Sequence, residues 1–383
     1  LACLSAALMP AFGMAARLPP IFEQWPASPY QVASQPEDLA IGDFNDDGIL
    51  DVAASSNDGY VSLLLGQTNE SLMTAPGSPF AVGAPFIRSI STADFDGDGK
   101  LDVAGVDTTD GDIISLTGNG AGALVPSYGS PFTAGVWSWH MAVGDFNNDH
   151  HPDAAIADPG NDTALVALNE GSGNFPVSLQ ADYPVGANPV DILVVDLNND
   201  GYPDLATANY DADTVTVLLN DGTGHFVEAP GSPVSTGGYW PERLASGDYD
   251  EDGNMDVVCV NQQSASISIL RGDGTGKLAL FGVPTNVASA WAAATADMDG
   301  DGHQDVVVVG QAPPELTLLR GNGHGDFEEF DYGTNLVAPD PYSIRIADVD
   351  KDGHDEILVS SFAQSGGLIT VLRNERIFGD NFD

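Results

Sequence analysis

Apolar and polar positions along the chain fall into a short cycle. A run in which the two alternate, such as "DLAIG" at 38–42 or "SIRIA" at 343–347, leads into a polar stretch, and a β-branched apolar run follows, as in "LDVAASS", "MDVVCVN" and "QDVVVVG". Alternation with period two marks a strand with one buried face; a short continuous apolar run marks a strand covered on both. A third run, "VSLLL", "VTVLL", "ISILR", "LTLLR" or "ITVLR", ends in a glycine-rich turn such as "NDGTGHF" or "GNGHGDF". The fourth stretch carries prolines, as in "PGSPFAVG", "YGSPFTAG" and "PGSPVSTG". Proline has no N–H to offer a ladder, so this strand belongs at an exposed edge.

The cycle returns seven times, its polar stretches opening at Asp43, Asp94, Asp145, Asp196, Asp248, Asp297 and Asp348. Four strands in each unit of about 50 residues predict an all-β fold, a seven-bladed β-propeller of four-stranded blades. A solenoid of seven units is the alternative, and it needs distinct capping units. The segment "FEQWPASP" at 22–29 matches "FVEAPGSP" at 226–233, a fourth strand without its first three, while "ITVLR" is followed by only ten residues. Residues near 28–34 are therefore expected to pair with a strand at about 367–373 and close the ring. The propeller is expected to fill 17–383. The apolar, small-residue stretch at 1–16 reads as the remnant of a secretory signal peptide, which leaves Cys259 as a buried thiol in "VVCVN".

Each polar stretch has the spacing D-x-[DN]-x-D-G-x-x-[DE]. Oxygen side chains at positions 1, 3, 5 and 9, with a backbone carbonyl at 7, can converge on one point, and glycine at 6 lets the chain turn sharply. That donor set comprises Asp43, Asn45, Asp47, Ile49 and Asp51; Asp94, Asp96, Asp98, Lys100 and Asp102; and Asp145, Asn147, Asp149, His151 and Asp153. It continues with Asp196, Asn198, Asp200, Tyr202 and Asp204; Asp248, Asp250, Asp252, Asn254 and Asp256; Asp297, Asp299, Asp301, His303 and Asp305; and Asp348, Asp350, Asp352, His354 and Glu356. Five hard oxygen donors suit Ca²⁺ better than Mg²⁺ with its strict octahedron, so up to seven calcium ions are expected. The bland alternative is a polar hairpin in which Asp and Asn satisfy their own backbone. The third loop has His150 where the others have glycine, which should make it the weakest.

Charge narrows the partners. The chain carries 56 Asp+Glu against 11 Lys+Arg, a formal −45, which argues against nucleic acid and anionic membranes and in favour of cations. The "RGD" at 271–273 occupies the start of an ordinary turn, where neighbouring repeats have "LND" and "RGN". His140 has no nucleophile elbow or zinc-binding context around it.

The loops and the "DGTGHF" turns resemble the FG-GAP or VCBS repeats of integrin α-subunit propellers and of many secreted bacterial proteins, over about residues 22–373. The resemblance implies a secreted or cell-surface calcium-binding propeller that acts as a binding or adhesion module for glycans or extracellular proteins, monomeric and not inserted in a membrane. A carbohydrate-active enzyme of the polysaccharide-lyase kind and a structural cell-envelope component are the alternatives. It also implies a ligand face opposite the calcium loops, formed by the segments ahead of each first strand. There the sequence gathers Phe86, Trp137, Trp139, Trp240, Trp291 and Tyr342, with Arg88 and Arg243, as candidate ligand residues; inter-blade packing is the competing account.

Overall fold

Seven antiparallel sheets stand in a ring, the first strand of each blade lying against that of the next and the seventh against the first. The structure, a computed structural model, describes residues 21–375 apart from 135–136, 334–335 and 364–365; the stretch read as a signal remnant lies outside them. First strands run over Leu39–Gly42, Ile87–Ala93, His140–Gly144, Pro189–Val195, Pro241–Gly247, Ala290–Ala296 and Pro341–Ala347. Second strands such as Asp102–Asp107 and Asp256–Asn261 are buried along their whole length, because each blade is sandwiched between two neighbours. Seven apolar clusters result, one at each blade interface, that between blades seven and one included.

Position 2 of every acidic loop contributes to this packing. Phe44, Phe95, Phe146, Leu197, Tyr249, Met298 and Val349 are all buried, each in the cluster shared with the following blade. The carbonyls of Phe44, Phe95, Leu197 and Tyr249 accept N–H bonds of 2.8–3.0 Å from a glycine in the next blade's turn, Gly122, Gly173, Gly276 and Gly325 respectively. The loops are thus tied to one another around one face of the ring.

Outer strands differ from the simple expectation. In blades one, two and four the outer strand is split in two, as in Phe226–Glu228 and Val234–Ser235. The serine of the Ser-Pro pair bridges the gap: Ser78, Ser130 and Ser232 Oγ accept the N–H of Leu63, Ser115 and Val217 on the third strand. Ser28 Oγ accepts that of Val371 in the same way. Accordingly Ile21–Gln24 lies antiparallel on Leu372–Glu375, and Tyr30–Val32 on Gly367–Ile369.

Candidate functional site

The acidic loops share one hydrogen-bond pattern. In all seven the position 1 aspartate accepts the N–H of residue 6. The position 3 oxygen accepts that of residue 5, and the position 5 carboxylate that of residue 7. These bonds turn three side chains over one short backbone arc. Two residues per loop take left-handed backbone, at position 6 and at position 4, where Asp46, Asn148, Asn199, Glu251 and Lys351 have φ of 56–63°. Position 4 escaped the sequence reading, since side chains of many kinds occupy it.

The position 9 carboxylate is the buried member. It accepts the N–H of position 2 in every loop, and in six blades it also accepts an N–H at the end of the third strand. It therefore locks loop to blade whether or not a metal is present. In the second, fifth, sixth and seventh loops the acids at positions 1, 3 and 9 bring oxygens within 4.8 Å of one another; the other three have asparagine at position 3. Burial, with neighbouring carboxylates adding to it, pushes Asp51, Asp204 and Asp256 up to about 6, Asp153 and Asp305 to about 7 and Glu356 to about 8. Asp348 Oδ1 is buried without a hydrogen-bond partner. A desolvated, mutually repelling oxygen set of this kind fits a hard dication.

His150 occupies position 6 of the third loop with φ 68°, and its side chain is exposed. A Cβ in left-handed backbone costs about 1–2 kcal/mol, so His150→Gly is expected to stabilise the protein by about 1 kcal/mol. Thermal melting checks this; an unchanged or lowered midpoint would contradict it.

On the opposite face, the residue five places before each loop aspartate faces the channel mouth. Around the ring it is Asp38, Ser89, His140, Asp191, Arg243, Ala292 and Ser343. Asp38 accepts hydrogen bonds from Ser89 (3.1 Å), Ser343 (2.9 Å) and Arg345 (2.6 Å), with His140 Nε2 at 3.7 Å. His140 Nδ1 lies 2.8 Å from Asp191, which also accepts the N–H of Leu244. Burial opposes ionisation of both aspartates, yet Arg345 and His140 hold Asp38, and His140 and Arg243 hold Asp191, below the usual carboxylate range. His140, Asp191, Arg243 and Ser343 of this layer line a channel of about 460 Å³ together with aliphatic residues such as Val143, Leu193 and Ile346.

One residue further out stand Glu37 and Glu242, both nearly fully buried. Burial raises both, against the opposing pull of Arg88 and Arg243. Glu37 Oε2 has no hydrogen-bond partner. Arg88 stacks on Trp139 with its guanidinium carbon 3.9 Å from the ring centroid, and among the described residues that guanidinium forms no hydrogen bond or ion pair.

The eight ligand candidates thus separate. Arg88, Trp139, Arg243 and the buried Tyr342 belong to the mouth. Trp291 is half-buried, its indole N–H bonded to the Tyr342 carbonyl, and Phe86 is half-buried too. Trp137 is 64% exposed and Trp240 37%, the latter stacked on Tyr210 at 5.1 Å. Strand alternation does not relate Trp137 to Trp139, because the strand begins only at His140. Eight places before the loop, Trp137 and Trp240 adopt φ of 66° and 58° at a position filled elsewhere by Gln35, Asn188, Ser289 and Asp340, also at positive φ. Glu37, Asp38 and Asp191 were missed as site residues, although aligning the repeats and asking where their first strands diverge in charge would have found them. The "RGD" arginine is engaged by Asp250 at 2.8 Å and by the Phe281 ring.

A family model described as "FG-GAP-like repeat" matches residues 43–105, 94–156, 145–207, 196–259, 248–308 and 297–359. No curated protein matches the chain. Among solved structures, an Agrocybe aegerita lectin, described for specific recognition of non-reducing terminal N-acetylglucosamine, is 19% identical with a TM-score of 0.56, over 79% of this chain and 81% of the lectin. BBS1N, solved in complex with ARL6DN, is 13% identical with a TM-score of 0.59 over 91% and 94%. An ancestral GH74 enzyme is 12% identical with a TM-score of 0.60, over 92% of this chain but 49% of the enzyme. At these identities the likeness is one of fold.

Proposed function

The chain belongs to the FG-GAP-like repeat family, and we propose that it is an extracellular, calcium-supported binding module that meets a glycan at the channel mouth and its aromatic rim. The observation that carries this is the mouth itself: one repeat position that turns to Asp, Ser, His, Asp, Arg, Ala and Ser around a single opening. A framework role alone would not ask the same position to diverge so far in charge. Arg88 offers donors and Trp139 an aromatic face to a sugar, with the buried Glu37 and Glu242 behind them setting the charge of the mouth. Trp137 and Trp240 hold strained backbone while exposing large apolar rings, an arrangement that clusters at functional positions. A lectin and an ancestral GH74 enzyme among the fold neighbours agree with a glycan, whereas BBS1N illustrates a protein partner on the same fold.

Calcium would be held by positions 1, 3, 5 and 9 and the carbonyl of 7, where its charge would offset the carboxylate repulsion. Secretion follows as part of the same proposal, since millimolar calcium is an extracellular condition.

The test is an array of neutral and acidic glycans probed with and without calcium, using wild type, Glu37→Gln, Arg88→Met and Trp240→Asn. Asparagine already occupies the equivalent place at 188. Binding by the wild type that falls at least about tenfold in the mouth variants, at unchanged melting temperature, is the expected result; one lost charged hydrogen bond is worth about 1.5–3 kcal/mol. Wild-type binding retained in all three variants overturns the site, and an array without hits overturns the glycan. Release of a cleaved product from a bound glycan would favour the enzymatic alternative, for which Tyr342, His140 and the two glutamates are the groups in place.

A further inference from the structure

The loops differ in formal charge, and the difference is matched by a nearby cation. Counted over positions 1, 3, 5 and 9, loops one, three and four have asparagine at position 3 and carry three carboxylates, while loops two, five, six and seven have aspartate there and carry four; outside those positions Asp46, Glu251 and Asp355 add a charge to loops one, five and seven, and Lys351 offsets one in loop seven. Just before the residue whose N–H binds the position 9 carboxylate, the first, third and fourth blades have Leu65, Leu168 and Leu219, while the fifth and sixth have Arg271 and Arg320. Arg271 Nε lies 2.8 Å from Asp250 Oδ2 and Arg320 Nη1 3.6 Å from Asp299 Oδ2, in each case the position 3 aspartate. In loop two the cation is Lys100, 2.9 Å from Asp98 Oδ2.

We propose that Lys100, Arg271 and Arg320 are built-in counter-charges that bring the four-carboxylate donor sets of blades two, five and six, counted over positions 1, 3, 5 and 9, to the same net −3 as the asparagine-bearing donor sets. The inference rests on the calcium reading above. In blades five and six its chemistry lies in the second oxygen of the position 3 side chain, whereas Lys100 neutralises the position 5 aspartate of loop two. Asn45, Asn147 and Asn198 turn Oδ1 to the N–H of residue 5 and their amide nitrogen to the position 5 carboxylate. Asp250 and Asp299 keep the first contact, and their second oxygen faces an arginine. An aspartate so capped offers one oxygen, as asparagine does. Affinity in oxygen-ligand sites follows the count of ligand charges, so the pairing equalises the loops. Arg320 is shared with Glu328, and Arg373, at the equivalent place in blade seven, pairs with Glu23 and Glu70.

The decisive experiment compares wild type, Arg271→Leu, Asp250→Asn and the double variant by calcium titration against a competing chelator, with melting measured in parallel in metal-free buffer. Leucine stands at this position in three other blades, so the fold should accept it. Arg271→Leu is expected to tighten one binding step about tenfold, since a unit charge a few ångströms from a dication is worth on the order of 1–2 kcal/mol at partial exposure, and to lower the metal-free midpoint. The double variant should return both to wild type. If Arg271→Leu leaves every binding step unchanged or weakens one, the counter-charge role is overturned and the arginine serves packing on Phe281 or ligand positioning instead. If wild type binds no calcium, the calcium reading fails separately; the metal-free midpoints then still decide whether Asp250→Asn rescues Arg271→Leu.

Discussion

Removal of calcium is expected to lower the melting temperature by roughly 20 °C. Each occupied site adds about 2.7 kcal/mol at a hundredfold excess over its dissociation constant, and 1 kcal/mol corresponds to about 2–4 °C in a domain of 150–250 residues and to less in a larger one. Lateral ties through the position 2 carbonyls of loops one, two, four and five leave few ways to release one of these loops without its neighbour. Differential scanning calorimetry in calcium and after exhaustive chelation is the measurement, and coincident curves would refute a folding role for the ion. The metal-free protein should also respond to pH in an unusual direction. Its position 9 carboxyls titrate at about 6 to 8 when folded, against about 4 unfolded. The folded state therefore binds more protons across that window, and stability lost as pH rises through 6–8 returns on acidification towards pH 5. In calcium this dependence should flatten.

Deletion of residues 21–34 should do comparable damage. Trp25 is 1% exposed and sits with Leu39, Val52, Leu358 and Ile369 in the cluster between blades seven and one. Its segment supplies the Ser28 hydroxyl to Val371, the ladder on Gly366–Glu375 and the Glu23–Arg373 ion pair. Without it the outer edge of blade seven and one of seven inter-blade clusters are exposed. The truncated protein is expected either not to fold or to melt at least about 10 °C lower, while Trp25→Ala alone should cost about 3–5 kcal/mol. Equal midpoints and equal cooperativity for the truncated and full chains would show that the ring does not depend on this strand.

The repeat was legible because its signals are local. A two-residue alternation, a nine-residue acidic turn and a Gly-x-Gly turn each depend on residues close in sequence, and seven copies of the acidic turn and five of the Gly-x-Gly turn made them plain. The proline-bearing outer strand was legible in kind, but its splitting was not. That depends on a serine hydroxyl replacing a ladder partner on a strand some fifteen residues back.

The amino-acid sequence by itself determined the blade count, the strand order within each blade, the places of the acidic loops and the matching of 22–29 to an outer strand. Period and spacing survive without coordinates. Only the tertiary structure decided which residues meet across the ring. Asp38, His140 and Asp191 come from three different blades, with Arg345 supplied by a fourth, and they converge because the first strands all face one axis. No window of sequence contains that juxtaposition. The same holds for Arg271 and Asp250, 21 residues apart in sequence and 2.8 Å apart in space, where strand pairing alone turns a charge difference between repeats into a compensated pair.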